Sequence, residues 1–354
     1  MVMYVLKRVM SSAVMLFIIS IIIFVALRML PGDPTTIALA QGDGVSEEAI
    51  ARMRAELGLD LPVYLQYVNW ISGFAVGDFG VSYFSKYGVG LLIAQRLPAT
   101  VSLALAALVL AIVIALLAAI LPLRLRSRWL ERIVNSLTAF GLAAPTFVIG
   151  IILVLVFANA FRLLPASGYV AITDDPAQGL RYLLLPAFTL SLAIAPQLIR
   201  YLQGSIGEVR WATFVRTARG KGIGWGGTVN RHIVPNALLP ALTSLGITVG
   251  NLLGGAVVVE AVFAWPGIGQ LVVDSVNKRD YAVIQTVVLM AAAVFVLVTL
   301  VVDLLYGVLD PRLRVASRKR SSSGGPGSPS EPSTAASADT PSPAAVAIEK
   351  GATV

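Results

Sequence analysis

Residues 97–123 read LPATVSLALAALVLAIVIALLAAILPL, twenty-seven positions without a charged side chain. An uncharged apolar run of roughly 18 or more residues can cross a hydrocarbon core about 30 Å thick at 1.5 Å per residue. Five further runs share this character: 9–27, 133–161, 182–199, 232–259 and 281–302, with 182–199 only just long enough. Pro145 and Pro196 lie inside two of them and are expected to kink their helices, which packed membrane helices tolerate. Only 13% of the chain is charged and 57% is hydrophobic, whereas a soluble domain has about a quarter of its residues charged. The reading is an all-α polytopic membrane protein with six transmembrane helices. Ala26-Leu27-Arg28-Met29-Leu30 makes a poor cleavage site for a signal peptide, so the first span is expected to be retained.

Six spans place both termini on one side. On that side fall sixteen lysines and arginines: Lys7 and Arg8, four from Arg124 to Arg132, five from Arg210 to Arg231, and five from Arg312 to Arg320. The opposite loops hold eight, which share those loops with eleven acids from Asp33 to Asp280. Cytoplasmic loops carry the excess of basic residues, so the expected topology is N-in, C-in. The same asymmetry accounts for the net charge of +8 without nucleic acid as a partner.

Several chemistries are excluded. The chain has no cysteine and a single histidine, His232, so disulfides, thiolate nucleophiles and multi-histidine metal sites cannot form. No Gly-x4-Gly-Lys-[Ser/Thr] string is present to cradle nucleotide phosphates. The spans are almost free of ionisable groups; Glu260 and Asp303 lie at span ends, where they are expected to be interfacial and reached by water. Gly222, Gly224 and Gly227 satisfy G-x-G-x-x-G, but no strand precedes them and no βαβ unit surrounds them, so the dinucleotide fingerprint is rejected. No catalytic residue, metal site or cofactor is expected.

The connecting segments carry more information. In the first external loop, Ser46 followed by Glu47 and Glu48 reads as a helix N-cap, and Gly58 closes that helix. Tyr64, Tyr67 and Trp70 suggest a second short helix, either lying at the bilayer surface or packed on neighbouring spans. Gly246, Gly250 and Gly254 put a smooth groove on one face of the fifth span. Such a groove serves helix packing within the subunit, a contact with a second membrane subunit, or the lining of a pathway. The final 34 residues, 321–354, are rich in Ser, Pro, Ala, Gly and Thr and are expected to form a disordered, dispensable tail. Between spans four and five, FVRTARGKGIGWGGTVNRHIVPNALLP (214–240) reads as a short basic helix over about 208–219, a glycine break, and re-entry into the membrane after Pro235. This loop either docks on a soluble partner or touches lipid headgroups.

The loop resembles the coupling loop of bacterial ABC importer permeases, whose pattern is Glu-Ala-Ala, three residues, Gly, nine residues, Ile-x-Leu-Pro. Arg216, Thr217 and Ala218 occupy the first triplet, Gly222 the glycine, and Val234 and Pro235 the closing pair. Arg216, His232 and Val234 depart from the pattern; Arg-Thr-Ala is the form of the peptide-permease branch. Further strings occur in the family's order: Pro31-Gly32-Asp33-Pro34, Glu56-Leu57-Gly58-Leu59-Asp60, Gln66-Tyr67, Gly77-Asp78-Phe79-Gly80-Val81-Ser82, Arg96-Leu97-Pro98-Ala99-Thr100, Phe263 to Gly269, Arg279-Asp280-Tyr281 and Asp310-Pro311-Arg312. Together they resemble the first of the two permeases of the dipeptide/oligopeptide/nickel group, over nearly the whole chain to about residue 315.

The resemblance implies a type I ABC importer permease fold in the bacterial plasma (inner) membrane. It implies a non-catalytic pathway subunit with a second homologous permease, two cytoplasmic ATPase subunits from one or two gene products, and an extracytoplasmic substrate-binding protein. The expected organisation is a cytoplasmic N-terminus (1–8), a first transmembrane helix (9–30) and an extracytoplasmic loop with short helices (31–98). A five-helix core (99–310) then contains the cytoplasmic coupling loop 204–236, and a cytoplasmic C-terminus (311–354) follows. Nearly charge-free spans suit di- and oligopeptides first, with nickel chelates, opines or other small solutes second; no substrate-binding residue is assigned.

Overall fold

The computed structural model describes residues 2–29, 47–56 and 58–309. The chain divides into Met1–Leu309 and a second unit, Asp310–Val354, which lies outside the described residues together with its expected tail and the Asp310-Pro311-Arg312 string. Pro31-Gly32-Asp33-Pro34, the Ser46 cap and the side chain of Asp303 also lie outside them. Among the described residues the structure is helical, with one isolated antiparallel bridge between Val81 and Gly88 and no named strand.

Helix α1 spans Val2–Arg28, α2 Glu47–Glu56, α3 Val63–Val76 and α4 Val89–Leu125. They are followed by α5 (Arg128–Ala143), α6 (Thr146–Leu153, continued as a π-helix over Val154–Ala160) and α7 (Pro176–Val209). Next come α8 (Thr213–Gly220), α9 (Trp225–Thr228, continued as a π-helix over Val229–Ile233), α10 (Val234–Phe263), α11 (Ile268–Lys278) and α12 (Tyr281–Leu309). Helix α4 begins at Val89, ahead of the expected membrane entry, so at 37 residues it is about 55 Å long and projects beyond the bilayer core.

The centre of the fold is the pairing of α4 with α7. Ala99, Leu103, Ala107, Ala111, Ala115 and Ala119 recur every four residues along α4 and are all buried. Small side chains at this spacing let a neighbouring backbone approach closely. Leu183, Leu190, Ile194 and Leu198 of α7 fill the space above that stripe. On the far side of α4, Leu105, Val109, Val113, Leu117 and Leu121 recur at the same interval and are exposed. Helix α7 starts at Pro176, with the Asp175 carboxylate accepting from the amides of Ala177 and Gln178 at 3.0 Å each. It runs as one helix through Pro186 and Pro196; the Pro196 ring fits over Gly141 of α5, where a Cβ would lie 2.6 Å from its Cγ.

The third uncharged run is not one kinked helix. Helices α5 and α6 meet at 111°, because Pro145 forces Ala144 into an extended conformation (φ −78°, ψ 128°) and the ladder stops there. Among the described residues four helices are individually long and apolar enough to span, and six spans result only when each bent pair is counted as one.

The aromatics of the first external loop are settled in favour of packing for two of three. Tyr67 and Trp70 of α3 lie against Phe24 of α1, with ring centroids 5.2 and 6.0 Å apart, and the Tyr67 hydroxyl pairs with Ser20 Oγ at 2.9 Å. Gln66 accepts from the Arg28 guanidinium, whereas Tyr64 stays exposed.

Candidate functional site

Helix α8 is short and two-faced. Val215 and Ala218 are buried on one side; Phe214, Arg216, Thr217 and Arg219 are exposed on the other. Val215 packs with Leu202 and Ile206 of α7, Ala119 of α4, Val229, Ile233 and Ala237. The helix covers 213–220, not 208–219, because α7 continues to Val209 before the chain turns at Ala212.

Gly222 has φ +84°, the left-handed conformation that favours glycine. The amide of Gly222 donates to Arg219 O and that of Ile223 to Ala218 O, at 3.0 and 3.2 Å. These bonds close the helix as a Schellman motif. Trp225 then ties the loop to the membrane helices: its indole N–H donates to Leu123 O at the end of α4, 2.8 Å away. The guanidinium groups of Arg126 and Arg219 sit over its ring, 4.7 and 5.5 Å from the centroid. Re-entry runs through α9 and the π-turn, with Val234 half-buried and Pro235 exposed in the first turn of α10.

One sequence expectation changes here. Glu260 is fully buried, not washed by water at a span end. The segment after α10 folds back over it, with Ala264 in the left-handed region (φ +50°), and wraps the carboxylate with donors. Thr100 Oγ1 donates to it at 2.7 Å and the Gln270 amide at 3.0 Å, so a carboxylate caps the N-terminal end of α11. Gly267 and Gly269 supply the room: a Cβ on Gly267 would fall onto the carboxylate, and one on Gly269 would lie 2.6 Å from Val257 Cα. The glycine groove also divides. A Cβ at Gly246 would meet Val302 and one at Gly250 would meet Phe295, both of α12, while one at Gly254 would meet nothing within 4 Å.

The structure brings together strings that are far apart in sequence. The Trp265 indole N–H donates to Ala99 O at 2.9 Å, and the Ile268 amide donates to Thr100 Oγ1 at 2.7 Å. Ser82 Oγ donates to the Asp280 carboxylate, which also accepts the Tyr83 amide at 3.1 Å. Burial pushes the Tyr83 phenol up to about 12, with the nearby Arg28 guanidinium pulling it the other way. Sequence reasoning missed two polar pairs on exposed helix faces. Asn251 of α10 donates to Gln197 of α7 at 2.8 Å, and Gln203 of α7 donates to Asn135 of α5 at 3.0 Å. The signal available was four amides inside or beside uncharged runs. Among the described residues no group of acids and His232 is arranged to hold a metal.

Comparison with known proteins agrees with this architecture. Residues 111–315 match the model of the "Binding-protein-dependent transport system inner membrane component" family, and residues 1–104 match that of its N-terminal region. The chain belongs to this family, and it is a multi-pass inner membrane protein. It is 38% identical over 311 residues to y4tP of Sinorhizobium fredii, named as a probable peptide ABC transporter permease; the match covers 88% of this chain and 99% of that one. It is also 38% identical over 311 residues to the glutathione transport system permease GsiC of Escherichia coli K12, covering 88% and 98%. A solved amino acid ABC transporter with histidines is similar at 17% identity, over 62% of this chain and 94% of that one, with a TM-score of 0.43. As a permease of this family the chain works with other components of an ABC importer.

Proposed function

We propose that this chain is a pathway subunit of an importer for di- or oligopeptides, and that α8 is the element through which cytoplasmic ATPases drive it. One observation carries the second part. An eight-residue helix is held rigidly from beneath by Val215, Ala218 and Trp225 while Phe214, Arg216 and Thr217 are left outward. Force applied to that outer face passes directly to the ends of α4, α7 and α10. ATP hydrolysis belongs to two partner ATPases, and a second, homologous permease completes the passage. Substrate arrives on an extracytoplasmic binding protein, on the face opposite the arginine-rich loops. The peptide reading rests on the names of the relatives and on nearly charge-free spans; nickel chelates and opines are the alternative cargo. Gln197, Asn251 and the open Gly254 share an exposed face of α7 and α10, where amides suit a passage better than lipid.

Ala218 is 5% exposed in this chain alone, so it supports the loop from within and is not itself a docking contact. The test therefore uses the outer face. Phe214→Asp should leave expression and binding-protein docking intact while labelled-peptide uptake and substrate-stimulated ATP hydrolysis fall together, by tenfold or more. Full uptake in that variant would remove α8 from the coupling role.

A further inference from the structure

Where the ends of α4 and α7 meet α5 and α8, the protein holds a cavity of about 640 Å3. Arg126, Arg128, Arg210, Arg216 and Arg219 all line it, against a single carboxylate, Glu131. Among the described residues none of these five arginines makes an ion pair. Cations gathered on one concavity repel each other, and an anion placed among them relieves that repulsion. Guanidinium groups offer a planar fork that meets phosphate oxygens two at a time.

The rest of the lining has another character. Ala119, Pro122, Leu123 and Ile206 form an apolar wall. Trp211 in the lining, and Leu125 and Trp129 beside lining residues in sequence, are exposed by 67, 60 and 72%. Tryptophans collect at the level of lipid headgroups, and basic pockets between membrane helices hold anionic headgroups. An acidic protein segment would use the arginines but has no need of an apolar wall and exposed indoles.

We infer that this cavity binds the phosphodiester headgroup of an anionic phospholipid from the adjoining leaflet, its acyl chains leaving over Leu125 and Trp129. Arg216 and Arg219 belong to α8 and Arg126 and Arg128 to the α4–α5 turn, so the headgroup bridges the loop to the membrane helices. Arg216 and Arg219 also face outward on α8, so the test is confined to Arg126, Arg128 and Arg210, which lie off that helix.

The experiment is native mass spectrometry of the full-length chain released from mixed phosphatidylglycerol and phosphatidylcholine. The wild type should retain phosphatidylglycerol over phosphatidylcholine by tenfold or more, and Arg128→Gln combined with Arg210→Gln should abolish that preference at an unchanged thermal midpoint. Arg126→Gln alone, a milder change, should reduce it severalfold. Equal lipid retention by wild type and variants would overturn the proposal. So would displacement of the lipid by inorganic phosphate at matched concentration, which would make the ligand a free anion. Loss of ATPase-subunit capture without any change in lipid retention would assign the arginines to protein carboxylates instead.

Discussion

A methyl group added at Gly269 meets backbone, whereas one added at Gly254 meets nothing within 4 Å. Gly269→Ala should therefore force the α10–α11 corner apart and cost about 1–3 kcal/mol, as overpacking does. Gly254→Ala should leave the thermal midpoint in detergent unchanged, and equal midpoints for the two variants would mean that the corner is loose. The strings around this corner were legible in the sequence; that Thr100, Glu260 and Trp265 touch was not. Glu260 read as interfacial because it ends an uncharged run, and a count of charges along the chain does not register residues 265–270 folding back to cover it. Gly222 was legible, since a short helix that must turn back needs a residue free to take positive φ, and its φ is +84°. The inward face of α8 could have been found too, because Val215 and Ala218 are three apart and so share a helix face.

Among the elements, α4 is the one whose pattern was on the page and went unread. Its four-residue stripe of alanines, interrupted at Leu103, is longer by several turns than the glycines of α10, but alanine in an apolar run is easily taken as filler. Ala111→Leu should push α7 away from α4 and destabilise the protein by about 1–3 kcal/mol, while Val113→Leu, on the exposed face, should be nearly neutral. Unfolding of both variants in mixed micelles against denaturant checks this. The third span shows the converse limit. Its length was legible from composition and its break from Pro145, but not the 111° angle, nor that α5 packs on α7 with Gly141 against the Pro196 ring.

For the whole molecule, the charge bias predicts sidedness, and a chain without cysteine is ready for that measurement. Ser85 and Thr217 are both exposed, whereas Ser205 is buried and bonded to Ala237 O and would label poorly. Cysteines placed singly at Ser85 and Thr217 should react with an impermeant maleimide in intact cells and only after permeabilisation, respectively; reaction of both in intact cells would overturn the six-span arrangement. The break at Pro145 also has a consequence for the bilayer itself. At 16 residues α5 is about 24 Å long, and the 15-residue arm from Thr146 to Ala160 is no longer, against a hydrocarbon layer about 30 Å thick. Neither arm alone matches that layer, so a crossing here is made by the bent pair together or completed by locally thinned membrane or the flank of another protein.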